Sequence, residues 1–359
     1  MRKPYLDNIK WVTVVLVVLY HVVYMYNGVE TFGVVGPFQP VQVQDAYQYI
    51  VYPWFMLLLF VVSGMCARYS LEHQSVRTFI RARTRKYLVP STLGLLAVGW
   101  VLGYYNMQLA GAFEPLQSVP KAVLWVIMAL SGCGPLWYIQ MLWVFSVLLV
   151  LFRKLEKDRL YHACAKTPVW LLAAFALPIW GAAQVLNADI VVYRFGIYGL
   201  GFLLGYLAFS HEEVMDRLAK HWRLFTAAAV VCGAVFTWLF WGKPYAEHVV
   251  LDTFPCNLYA WLGTLGVLAF MKQWGNCQNK LTDFMRRKSW GLYLFHYLPL
   301  AACAYYLAKY APGTPPVLCY LAVAAAAFGG AFVLYEIASR IPLIRWLTCG
   351  IGGNNHAGR

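Results

Sequence analysis

Charge is what this sequence has least of. Only 12% of its 359 residues are charged, and Asp and Glu together number 15. A soluble domain carries roughly twice that charged share. So few charges cannot cover a globule of this size, which excludes a wholly water-facing protein and makes lipid the solvent for much of the surface. The nine cysteines form no CxxC pair and keep no regular spacing. That pattern excludes a zinc or disulfide framework, so they read as small buried hydrophobes and no metal site is expected. The first apolar run follows Met1-Arg2-Lys3 without a small-residue cleavage site, so it is expected to remain as a membrane span. No low-complexity linker divides the chain, and residues 1–150 share no repeat with 190–338, the duplication that many carriers show.

What the chain has instead is hydrophobic residues, 61% of the total, arranged in ten runs. A helical crossing takes about 20 residues. The runs occupy 9–26, 47–67, 87–105, 135–152, 169–186, 191–209, 224–241, 255–271, 289–308 and 317–338. A further run at 121–131 is too short to cross and is expected to be re-entrant or interfacial. The expected fold is therefore an all-α membrane protein, a bundle of about ten transmembrane helices. The net charge of +14 lies in short clusters between the runs, not in the single stripe that nucleic acid demands, so no nucleic-acid partner is expected. Of the 29 Lys and Arg residues, only Lys121, Arg194, Lys243 and Lys309 fall outside one alternating set of connections, at 1–10, 68–86, 153–166, 217–223, 272–288 and 340–359. Basic connections stay in the cytoplasm, which predicts both termini inside. The expected organisation is one transmembrane domain over residues 1–340 and a cytoplasmic tail over 341–359. The longer outward segments at 27–46 and 106–134 have room to shape a pocket.

The first run carries two ionisable side chains. Lys10 and His21 are eleven residues apart, three whole turns plus about 20°, so they share a face about 16 Å apart along the axis. An ionisable group inside a span tends to face a cavity or the bundle interior, and a neutral imidazole can accept a proton from a hydroxyl. The plain alternative is a packing histidine bonded to a neighbouring helix. In the second run, Ser63 and Gly64 allow close approach of another helix. After it come Arg77, Arg81, Arg83, Arg85 and Lys86, with one nearby acid, Glu72. In a helix Arg81 and Arg85 would share a face. Such a cluster anchors topology by default, but guanidinium forks also suit phosphate oxygens.

Taken in order, Lys10-x10-His21, Phe60-Val61-Val62-Ser63-Gly64 and Arg83-x-x-Lys86 ahead of Pro90 resemble the acyltransferase-3 family of integral membrane O-acyltransferases. GPLWYIQMLW at 134–143 looks like that family's aromatic segment, and SWGLYLFH at 289–296 looks like its late histidine-bearing helix. YEIASRIPLIRWLTCG at 335–350 is similar to the terminal segment of its polysaccharide-modifying branch. The resemblance spans nearly the whole chain. It departs at Lys10 and Lys86, which stand where many relatives have arginine, so charge is kept and bidentate geometry lost. The extracytoplasmic hydrolase-like domain of some relatives is not expected here.

The resemblance implies an enzyme that moves an acyl group, acetyl or succinyl, from cytoplasmic acyl-CoA to a hydroxyl of a sugar or other hydroxylated acceptor. It implies polysaccharide O-acetylation at a bacterial inner membrane, with acyl-CoA as donor substrate, no bound cofactor, and His21 as the catalytic base. Lys10, Arg81, Arg83, Arg85 and Lys86 would hold the coenzyme A phosphates. Ser63, Trp137, His296 and Glu336 would support the site. Each has a structural alternative: helix packing for Ser63 and His296, an interfacial aromatic belt for Trp137, and for Glu336 an ion pair, with Lys10 at a similar depth. Arg194 and Asn257, near outward helix ends, are the candidates for touching a polar acceptor. The rival class is a proton-coupled transporter or flippase of a glycolipid or small metabolite, which intramembrane His and Glu would also suit.

Overall fold

The computed structural model describes residues 3–29 and 33–351. These are helical apart from loops and one isolated bridge between Asn187 and Arg194. In chain order the main helices are α1 (Pro4–Tyr24), α2 (Ala46–His73), α3 (Val76–Leu109), α4 (Lys121–Ser131), α5 (Trp137–Glu156), α6 (Val169–Ala182) and α7 (Phe195–Phe209). They continue with α8 (Glu212–Lys220), α9 (Trp222–Phe240), α10 (Phe254–Trp274), α11 (Lys280–Phe295), α12 (Tyr297–Tyr310) and α13 (Pro316–Arg340). Among the described residues, seven helical stretches are long and apolar enough to cross a membrane: those built on α1, α2, α3, α5, α9, α10 and α13. The protein is thus an all-helical, multi-pass membrane protein. The other three predicted runs are also helical but differ in form. Two of them shorten to α6 and α7, because residues 187–194 turn back on themselves through the Asn187–Arg194 bridge. The run at 289–308 bends at His296, where α11 gives way to α12. The short run at 121–131 is the eleven-residue helix α4, packed against α3 where Gly103 and Gly132 bring the backbones together.

The chain packs as two compact units. One holds the described parts of residues 1–16, 46–80 and 144–287, and the other those of 17–45, 81–143 and 288–359. In the first unit α2 is the axis. It is apolar on every side, and a helix of that kind must be buried all round; Leu57, Phe60, Val61, Val62 and Met65 are accordingly enclosed. Gly64 marks the crossing of α2 with α7: a Cβ added there would fall on the carbonyl oxygen of Phe202. Small residues at such crossings let backbones meet, so the packing role weighed for Ser63-Gly64 has a direct basis. Gly64→Val is expected to destabilise the protein by about 1–3 kcal/mol or more through overpacking, read as a lowered unfolding midpoint in detergent.

The basic end of the first unit is tied by ion pairs. Arg68, the first cation of the 68–86 cluster, donates to Glu72 Oε1 at 2.8 Å, Asp158 Oδ1 at 2.6 Å and the Tyr206 hydroxyl at 3.1 Å, and lies over the Tyr161 ring. Its Nε and Nη1 are thus engaged in structural contacts. Nearby in sequence to α7, Glu212 receives Lys272 and Lys3. Burial pushes the Glu212 carboxyl up, but the hydrogen bonds and charges of the two lysines outweigh it and hold the group below its ordinary value of 4.5. A depressed carboxylate contributes stability above its unfolded pKa and loses it as pH falls through the folded one. The unfolding midpoint is therefore expected to drop as pH falls from 4.5, and Glu212→Gln is expected to flatten that part of the pH profile.

In the second unit the basic end is shaped by Pro90. Proline has no N–H to continue the helical ladder and its ring crowds the preceding turn. Helix α3 adapts with two π turns, Thr84–Leu88 and Pro90–Gly94, in which the Val89 N–H reaches back to the Thr84 carbonyl. Ser91 Oγ and Thr92 Oγ1 donate to the carbonyls of Tyr87 and Leu88 at 2.7 and 2.6 Å. Such turns are frequent at functional sites. The π turn Arg345–Cys349 lies against this segment, close to Gly94 and the Arg85 carbonyl. Gly350 makes this possible, since its φ of +67° is left-handed and a side chain there would strike the Arg85–Lys86 backbone.

Candidate active site

The second unit brings together two histidines that the sequence separates by 275 positions. His21 Nδ1 and His296 Nε2 are 3.0 Å apart. His21 comes from the far half of α1 and is half-buried, while His296 stands at the α11–α12 bend and is fully enclosed. The bend explains the placement, because His296 Nδ1 is within 3.1 Å of the Leu292 carbonyl and 2.9 Å of the Tyr293 carbonyl. Both are acceptors, so Nδ1 carries the hydrogen. In a neutral ring Nε2 is then a lone pair, and it accepts from His21 Nδ1–H. The network therefore assigns the remaining lone pair to His21 Nε2. The Tyr297 ring stands edge-on to His21, with centroids 4.8 Å apart, and Tyr20 packs beside it at 5.1 Å. In this arrangement the tautomer of His21 is set by a second, buried imidazole.

The helix that delivers His296 is anchored by the aromatic segment at 134–143. The Tyr293 hydroxyl donates to the Pro135 carbonyl, and the Tyr138 and Tyr293 rings meet edge-on at 5.9 Å. Gln140 Nε2 donates to the Ser91 carbonyl at 2.9 Å, fastening the same segment to the π turns of α3. Trp137 is half-buried at the start of α5, edge-on to Tyr138 at 6.3 Å.

At the basic end of this unit, Arg81, Arg85 and Lys86 are exposed, and half-buried Arg83 donates to the Tyr87 hydroxyl. Lys86 Nζ lies 4.7 Å over the Trp290 ring, and Trp290 Nε1 donates to the Cys349 carbonyl at 3.1 Å. Arg345, on the turn that covers this segment, has a buried Nε without a hydrogen-bond partner among the described residues. Sequence reading overlooked Trp290 and Arg345, although both lie in stretches quoted for the resemblance. Glu336 does form an ion pair, and its partners are Lys288 at 3.0 Å and Arg340 at 2.9 Å, from α11 and its own helix, in place of the expected Lys10. Lys10 and Ser63 belong to the first unit.

Arg194 and Asn257 do not fit the part of acceptor contacts. They are 4% and 0% exposed. Arg194 Nη2 donates to the Leu251 carbonyl at 2.9 Å, and Asn257 Nδ2 to the Leu251 and Thr253 carbonyls at 2.8 Å each. They hold the entry to α10, because the loop carbonyls there need donors.

A multi-pass helical membrane protein that holds a histidine pair and a basic segment with aromatic neighbours in one unit defines the class. The family model for the acyltransferase domain of the acyltransferase-3 family matches residues 3–336, and the chain belongs to that family. No curated protein and no solved structure matches it.

Proposed function

We propose that this protein is a membrane O-acyltransferase in which His21 is the general base, and that cytoplasmic acyl-CoA donates the acyl group to a hydroxyl of a sugar or other hydroxylated acceptor. The observation that carries this reading is the His21–His296 hydrogen bond, which leaves His21 Nε2 as the lone pair on the half-buried ring. His21 Nε2 takes the proton of the acceptor hydroxyl as its oxygen attacks the thioester carbonyl. The tetrahedral intermediate collapses, the C–S bond breaks, and the coenzyme A thiolate takes the proton back from Nε2. As positive charge develops on His21, His296 Nε2 accepts a strengthened hydrogen bond from Nδ1–H.

The exposed cations Arg81, Arg85 and Lys86, with Arg83, suit the polyanionic end of coenzyme A. Arg345 joins them in this proposal, since its unpartnered Nε lacks the acceptor that a phosphate oxygen would supply. The indole of Trp290 beside Lys86 offers an aromatic face to an adenine ring. The topology that goes with this reading is ten crossings with both termini in the cytoplasm, α6 and α7 making short crossings and α11–α12 a bent one. It puts the basic π turns on the side where acyl-CoA is found. The test is acyl-CoA binding to the purified protein in detergent, by calorimetry. Arg83→Ala/Arg85→Ala is expected to weaken it by about tenfold or more, the loss of one or two charge-assisted hydrogen bonds. Unchanged binding would remove the donor assignment.

A further inference from the structure

The π turn Arg345–Cys349 lies beyond the span shared with the family, which ends at residue 336. Its seat in the second unit is nonetheless closely fitted. A Cβ added at Gly94 would fall on the Leu347 carbonyl oxygen, and one added at Gly350 on the Arg85 carbonyl oxygen. Gly350 also holds a left-handed φ of +67°, which a side chain would oppose. Trp290 Nε1 fastens the end of the turn at the Cys349 carbonyl, 3.1 Å away, and Thr348 Oγ1 closes its start on the Ile344 carbonyl at 2.7 Å.

This five-residue turn carries one charge, Arg345. Its Nε is buried without a hydrogen-bond partner among the described residues. A buried N–H left so is costly, and a bound acceptor removes the cost. The nearest acid in sequence, Glu336, is already committed to Lys288 and Arg340. Burial pushes the Cys349 thiol up, and the Arg345 charge pulls it the other way, which puts the guanidinium near Cys349. The Cys349 carbonyl receives Trp290, and Lys86 Nζ lies 4.7 Å over that same indole. Trp290 thus links the cation of the terminal turn to a cation of α3. A guanidinium with a free Nε can present two N–H groups side by side to phosphate oxygens.

We propose that the terminal turn is a wall of the donor site, and that Gly350 is a positioning residue which acts on acyl-CoA only by letting the turn seat Arg345 against a donor phosphate. This rests on the donor reading given above. The test uses the full chain carrying Gly350→Ala, Arg345→Ala or both, with acyl-CoA binding read by calorimetry in detergent and turnover in nanodiscs. Each single replacement is expected to weaken binding about tenfold. The double variant is expected to bind no more weakly than Arg345→Ala alone, because a residue that acts only through Arg345 has nothing further to lose. The donor KM should rise with the loss of binding, while kcat at saturating donor stays within about twofold. Trp290→Phe, which removes the N–H that holds Cys349, is the milder variant and answers the same question if Gly350→Ala does not fold. It is expected to weaken binding about threefold, and not at all once Arg345 is replaced. A folded Gly350→Ala protein that binds like the wild type overturns the proposal. So does a loss from Gly350→Ala or Trp290→Phe that persists in full beside Arg345→Ala. Weakened binding in Arg83→Ala/Arg85→Ala with none in Arg345→Ala overturns the role of the turn alone, whereas unchanged binding in both overturns the donor reading with it.

Discussion

His21→Ala is expected to lower acyl transfer by about 10²- to 10⁴-fold, the range a positioned general base contributes. Acyl-CoA binding is expected to stay within about twofold, since the proposed phosphate contacts do not include the imidazole. The measurement is mass-spectrometric transfer of an isotope-labelled acyl group by protein in nanodiscs, set beside calorimetric binding. Comparison of envelope glycans and metabolites from cells carrying the wild type and the variant would then identify the acceptor by the acyl group it loses. Retained transfer in the variant would remove both direct transfer and a covalent acyl-histidine route. An acyl label held on the wild-type protein without acceptor would mark the covalent route.

His296→Ala is expected to cost nearly as much, about 10²-fold or more in turnover, although His296 is enclosed and reaches the substrate only through His21. Its removal takes away the imidazole acceptor of His21 Nδ1–H and leaves the Val17 carbonyl as the ring's remaining partner. The ring is then free to turn and to adopt the other tautomer, with the proton on Nε2 where the proposed base is needed. A structural role alone would predict that any residue of similar size and packing restores activity. The positioning role predicts otherwise: His296→Gln, whose amide oxygen can accept from His21 Nδ1–H, recovers part of the turnover, and His296→Leu does not. The loss should fall on kcat more than on KM, because the His21–His296 bond strengthens as the imidazolium forms. Unfolding midpoints for the three variants separate a rate effect from a loss of fold.

The membrane nature of the chain was legible because it depends on sums over short windows. The ten apolar runs all became helix, as did the further short one at 121–131 that lies against α3. Helix form was less legible. Pro299 is a break signal in the run at 289–308 that a count of apolar residues passes over, since it offers no N–H to the Phe295 carbonyl and its ring crowds that turn. What the sequence does not show is that the His296 ring hydrogen-bonds the carbonyls of Leu292 and Tyr293 there. The turn at 187–194, which shortens α6 and α7, depends on Arg194 finding carbonyls on another segment. Motif order singled out His21 and His296 one by one. It also drew attention to Glu336 as an ion-pair member, while misjudging the partner, because depth in the bilayer says nothing about which neighbouring helix a side chain meets.

Sequence alone determined the solvent of this protein. The scarcity of charge and the length of the apolar runs require lipid, and the placement of 25 of the 29 cations in alternate connections constrains which ends share a side. Those are properties of local composition, and they hold for any packing of the helices. Tertiary structure decided what meets His21. The proposed base role depends on which of its nitrogens keeps the proton, and the partner that bears on this stands 275 residues away. A contact of 3.0 Å between distant helices has no local signature, because it exists only once α11 has been bent and fastened by Tyr293 to the segment at Pro135.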